Sequence, residues 1–164
     1  MTNFLINIGI PKAYAGDIAL LLLMILAGVA LMFIVKKTKI GAFAFTVYAS
    51  YLITEVADFD FIDTYMVKSG VFLIVAIGLH YILFKPTVVV KLGGGSIMRW
   101  VKRIAISFTI VGLMATIVLG WIPGKEVVKM LSPFGLKMFT TSLAQFVWAI
   151  APMVVLIIAR KREE

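Results

Sequence analysis

Residues 18–35 read IALLLLMILAGVALMFIV, and no charged side chain interrupts them. A bilayer hydrocarbon core of about 30 Å takes about 20 such residues as one helix. In hydrocarbon the backbone has no water to bond to, so an isolated apolar run of this length must satisfy itself as a helix. Polarity returns at once on both sides, at Asp17 before the run and at Lys36, Lys37 and Lys39 after it.

The rest of the chain repeats that alternation. Of its 164 residues 62% are hydrophobic and 15% charged, with a mean hydropathy of +1.08. Soluble domains average about 45–50% apolar and about 25% charged residues. A water-soluble fold has too little polar surface here to cover its apolar side chains. Four more segments qualify as spans or come close: 40–57, 69–84, 104–122 and 136–159. The expected fold is an all-α polytopic membrane bundle, one domain over residues 1–164 with five transmembrane helices. The second and third spans are short, which predicts less tilt or a thinned bilayer around them. Residues 1–12 read as a short surface segment ended by Pro11 rather than as a signal peptide. They have no positive n-region, and Asn3 and Asn7 break their apolar stretch.

The charges then set an orientation. With the amino terminus outside, the cytoplasmic side receives Lys36, Lys37, Lys39, Lys85, Lys91, Arg99, Lys102, Arg103, Arg160, Lys161 and Arg162, 11 of the 16 basic residues. The outer side receives Lys12, Lys68, Lys125, Lys129 and Lys137, together with the acids Asp17, Glu55, Asp58, Asp60, Asp63 and Glu126. Lysine and arginine concentrate on the cytoplasmic side of membrane proteins, so the expectation is N-out and C-in.

Within that frame MRWVKR (98–103) reads as a cytoplasmic anchor. Arg99, Lys102 and Arg103 are placed to touch anionic lipid headgroups, and Trp100 fits an interfacial aromatic belt. Each such cation gains about 1 kcal/mol at a charged leaflet. No nucleic-acid partner is expected, because the basic and aromatic residues are too few for a stacking, phosphate-tracking surface. Gly93, Gly94 and Gly95 precede a helix start with Ser96 as its N-cap, a place where free amides favour an anion. The phosphate-loop and dinucleotide glycine patterns are absent, and the competing reading is a hinge between the third and fourth spans.

Small and hydroxyl residues recur inside two spans. Ala42, Thr46, Ser50 and Thr54 stand four apart in the second, and Ala105, Thr109, Gly112, Thr116 and Gly120 form a stripe on the fourth. Apolar burial gives little drive between helices in lipid, so close approach over small residues takes its place. Both stripes read as packing faces, able to meet each other. Tyr48, Tyr51, His80 and Gln145 form a second group, a candidate polar pathway or partner contact, since an amide such as that of Gln145 calls for a hydrogen-bond partner. Pro152 predicts a kink in the last span.

The two outer loops offer less. EVADFDFID (55–63) has three aspartates spaced like part of a calcium loop, without its glycine and terminal glutamate; it reads better as a surface helix. The loop 122–135 reads as a brief amphipathic helix lying flat, or as a partner contact, through Val127, Val128, Met130 and Leu131. With no Cys and a single His, the chain assembles neither a thiolate nor a His-rich metal site, and no Ser/His/Asp set collects on one side. No acid lies mid-span, which argues against a proton- or sodium-coupled pump. No cofactor and no enzymatic activity are expected.

Three features resemble the colicin V production protein family of bacterial inner-membrane proteins over roughly residues 17–122. They are Asp17 opening the first span, the basic turn from Lys36 to Gly41, and the glycine-rich basic loop from Lys91 to Arg99. The family's arginine–glycine pair is replaced here by Lys39-Ile40-Gly41, and the fifth span has no counterpart in it. The resemblance implies a non-enzymatic protein of secretion or envelope maintenance. The expectation is a non-catalytic subunit of a larger membrane assembly in a bacterial or archaeal cytoplasmic membrane. Its partners are the lipid bilayer, anionic lipid headgroups, and other membrane subunits or further copies. The alternative is a small oligomeric channel or transporter.

Overall fold

The computed structural model describes residues 6, 7, 9, 11–35, 39–57, 64–83 and 96–159. Among these it is all-helical, with seven helices and no strand. They are α1 (Lys12–Ile34), α2 (Ile40–Val56), α3 (Tyr65–Leu83), α4 (Ser96–Trp121), α5 (Gly124–Met130), α6 (Pro133–Phe139) and α7 (Ser142–Ala159).

Four helices, α1, α3, α4 and α7, are long and apolar enough to cross a membrane. The fifth apolar helix, α2, has 17 residues. At 1.5 Å per residue it is about 25 Å long, short of a hydrocarbon core of about 30 Å. The calcium-like loop reading and Gly93, Gly94 and Gly95 lie outside the described residues.

The first and third spans start earlier than expected, at Lys12 and Tyr65, and two further boundaries differ from the sequence expectation, each for a local reason. The fourth helix begins at Ser96 rather than Ile104, so MRWVKR forms its first turns. Met, Arg and Lys are good helix formers, and no breaker follows the glycines. The expected span 136–159 is broken in two. Thr140 and Thr141 turn their hydroxyls back onto the carbonyls of Leu136 and Lys137, at 2.7 and 3.0 Å, and Thr141 Oγ1 also accepts from the Ala144 amide at 3.3 Å. Hydroxyls that bond their own backbone compete with helix continuation. The loop 122–135 likewise resolves into α5 and the start of α6. Val127 and Leu131 are buried against Met24 of α1, while Val128 and Met130 remain exposed.

Helix α4 is the axis of the bundle. Half of its most apolar window is buried, against 11% in α3 and in α7. One face packs with α2 and α3 through Ile106, Ile110, Leu113, Phe43, Val47 and Phe72. Another packs with α1, α5 and α6 through Val111, Leu119, Met24 and Phe139. Gly112 admits α7: a Cβ there would lie 2.0 Å from the Trp148 ring. That ring is fixed, stacked on Phe139 at 5.5 Å with its Nε1–H donated to the Met138 carbonyl at 3.0 Å.

Side-chain contacts fix the helix directions. Arg103 and Lys102, near the start of α4, reach the ends of α1 and α7. Glu55, near the end of α2, pairs with Lys68 near the start of α3. Helices α1, α3 and α7 therefore run opposite to α2 and α4.

Candidate functional site

At the carboxyl end of α4 a cleft of about 420 Å³ opens between α2, α4 and α7. Helical spacing of three and four places Tyr48, Tyr51 and Glu55 on one face of α2, and Thr116, Gly120 and Trp121 on one face of α4. Gln145, Phe146 and Ala149 of α7 form the third wall. The sequence grouping of Tyr48, Tyr51 and Gln145 is thus one place in the fold, and it takes in Thr116 and Gly120 from the α4 stripe.

The cleft is closed at depth and dressed at its rim. At the bottom the Tyr48 hydroxyl donates to the Ala149 carbonyl, joining α2 to α7 in the turn before Pro152. At the rim Glu55 pairs with Lys68 at 3.1 Å and accepts from Trp121 Nε1–H at 3.0 Å. Lys68 lies 5.1 Å from the Trp121 ring centre, and Tyr51 stacks on that ring at 6.2 Å. The carboxylate therefore arrives already neutralised. Among the described residues the Gln145 amide and the Tyr51 hydroxyl have no hydrogen-bond partner. Thr116 donates to the Gly112 carbonyl at 2.9 Å and keeps its lone pairs available.

His80 is not part of this cleft. It packs edge-to-face on Phe43, at the opposite end of α2, with ring centres 5.1 Å apart. The polar group expected from sequence is thereby split: aromatic packing holds His80 between α2 and α3, while the other three members face α4.

The α2 stripe is fully buried, with Thr46 and Ser50 donating to the carbonyls of Phe43 and Thr46. On α4, Gly112 and Gly120 face α7, where they receive Trp148 and Gln145. Ala105 and Thr109 are half-buried.

The basic hexapeptide does something that its charge count does not convey. Arg103 is only 7% exposed, and its guanidinium donates to the Met32 carbonyl in the last turn of α1. Lys102 donates to the Ala159 carbonyl at the end of α7, at 3.3 Å. Both cations sit where helix dipoles are negative and carbonyls lack intrahelical donors. Arg103 is thus turned inward, against the expected headgroup contact, and stacks its guanidinium 5.6 Å from the Trp100 ring centre. Arg99 stays exposed.

Sequence reasoning missed a second polar lock. Asp17 is 9% exposed, and its carboxylate accepts from the Ser132 amide at 2.9 Å and from the Ser132 hydroxyl. Ser132 in turn caps α6, accepting from the amides of Phe134 and Gly135 at 3.1 and 3.3 Å. Next to it the Met130 carbonyl sits on Gly16, where a Cβ would lie 1.6 Å from the oxygen. Ser-Pro at 132–133 is a legible N-cap signal; its acidic partner 115 residues away is not. Among the described residues no group of three or more His, Cys, Asp or Glu could hold a metal ion. Set beside known protein families, curated proteins and solved structures, the chain matches none.

Proposed function

We propose that this chain is a non-catalytic subunit of a larger membrane assembly that serves secretion or the envelope. It crosses a bacterial or archaeal cytoplasmic membrane five times, with its amino terminus outside. The observation that carries the reading is the cleft at the end of α4. It can hold a group but is poorly equipped to transform or conduct one. Its carboxylate is neutralised by Lys68, its deepest hydroxyl is committed to a backbone carbonyl, and the Tyr48–Ala149 bond closes it below. The resemblance in sequence layout to the colicin V production proteins supports the envelope context. The orientation is supported by Lys39, Arg99, Lys102 and Arg103, which gather at one end of the helices.

Extraction from native membranes into lipid-polymer discs tests the reading. The expected product is a complex larger than one chain, and a lone monomer without partner sinks it. A thiol-reactive probe that cannot cross membranes should label Arg99→Cys only from the cytoplasmic side.

The second reading, a small oligomeric channel or transporter, draws on the same polar lining of Tyr48, Tyr51 and Gln145. Liposomes reconstituted with the chain that pass no ions or small solutes at any pH would count against it.

A further inference from the structure

We propose that the cleft between α2, α4 and α7 is a binding site for an amphiphile whose headgroup is uncharged and carries hydroxyls. The inference rests on the reading of this cleft as a holding site, and it names what is held.

Volume comes first. About 420 Å³ lies within the range of about 300–1,000 Å³ typical of small-molecule sites. Depth comes next. The rim is at Glu55 and Trp121, near the ends of α2 and α4, and the floor is at Ala149, the eighth residue of α7. At 1.5 Å per residue the cleft reaches about 10 Å down the bundle from its end. A ligand there has a polar part at the interface and an apolar part among Leu113, Ile117 and Phe146.

Charge selects the headgroup. The one ionised lining residue, Glu55, is already matched by Lys68 and by the Trp121 N–H. An anionic headgroup would face that carboxylate, and the cation at the rim, Lys68, is already paired with it. A cationic one would have to displace Lys68. An uncharged group disturbs neither. Hydrogen bonding selects the rest. The Gln145 amide offers two donors and an acceptor, the Tyr51 hydroxyl offers both, and Thr116 can accept. A hydroxyl, which donates and accepts at once, satisfies all three side chains.

Trp121 is a built-in reporter at the rim. The probe is a monoacylglycerol brominated on its chain, added to phospholipid vesicles holding the full-length chain. Bromine should quench Trp121 saturably, and Trp121→Phe should remove the saturable component. The fatty acid with the same brominated chain should bind at least about tenfold more weakly. Gln145→Leu should weaken the monoacylglycerol about tenfold, the usual scale of one or two lost hydrogen bonds in a membrane, and Gln145→Asn should retain most of the affinity. Gln145 is exposed in the cleft, so the fold does not depend on it.

Equal, unsaturable quenching by both lipids, indifferent to Gln145→Leu, overturns the proposal. Quenching that is absent in the natively extracted complex and appears only after it is dissociated assigns the cleft to a protein partner. That result overturns the amphiphile and leaves the assembly reading standing. Saturable binding to a chain that natively extracts as a monomer does the reverse.

Discussion

The two ends of α4 handle charge in opposite ways. At its amino end Lys102 and Arg103 are spent on backbone: each completes the carbonyl end of another helix, and Arg103 is buried in doing so. At its carboxyl end the charges are spent on each other. Glu55, Lys68 and Trp121 form a closed side-chain set on the rim of a cleft. One end is a clasp that gathers α1 and α7 onto α4, and the other leaves room between α2 and α7. The lesson is that a positive count at a membrane face records topology without saying which cations reach outward. Here Arg99 remains exposed, whereas Arg103, four residues on, is turned inward.

The contrast can be broken at its strong end first. Arg103→Met leaves the Met32 carbonyl without its donor, and hydrogen bonds to charged groups are worth about 1.5–3 kcal/mol. A loss of that size is expected in a denaturant titration of the protein in lipid discs. A loss below that of Lys68→Met would mean that the clasp is decorative. Gly112→Ala, midway along α4, pushes a methyl into the Trp148 ring. Overpacking of this kind costs about 1–3 kcal/mol, and the release of Trp148 should redden its emission. At the weak end, Lys68→Met breaks an ion pair whose side chains are 25% and 46% exposed. Such pairs are worth at most about 1 kcal/mol. Stability should barely move, whereas the freed Glu55 should make the cleft more welcoming to cationic amphiphiles. A stability loss as large as that of Arg103→Met would erase the difference between the two ends.

Much of the architecture was legible because hydrophobicity in a bilayer is a coarse and strong signal. The first span, and the helix ends at Ile34 and Trp121, follow from where charge and proline stand. The split at Thr140-Thr141 was not legible, because two threonines inside an apolar run are ordinary in membrane helices. Only their back-bonding to Leu136 and Lys137, with Thr141 also capping α7, shows the break. In the candidate site, Tyr48, Tyr51 and Gln145 could be grouped by chemistry, but so could His80, which packs elsewhere. Spacing along one helix is readable from sequence; which neighbouring helix a face meets is not. The same limit hid Asp17 and Ser132, whose pairing depends on α6 folding back over α1.

The lysine clasp also bears on synthesis. Lys102 emerges from the ribosome 57 residues before the carbonyl that it will bond. Until α7 has been made, the Ala159 carbonyl is not there to receive this ammonium, so the link is among the later ones of the bundle to form. Closure of the clasp on both α1 and α7 therefore waits on translation of α7.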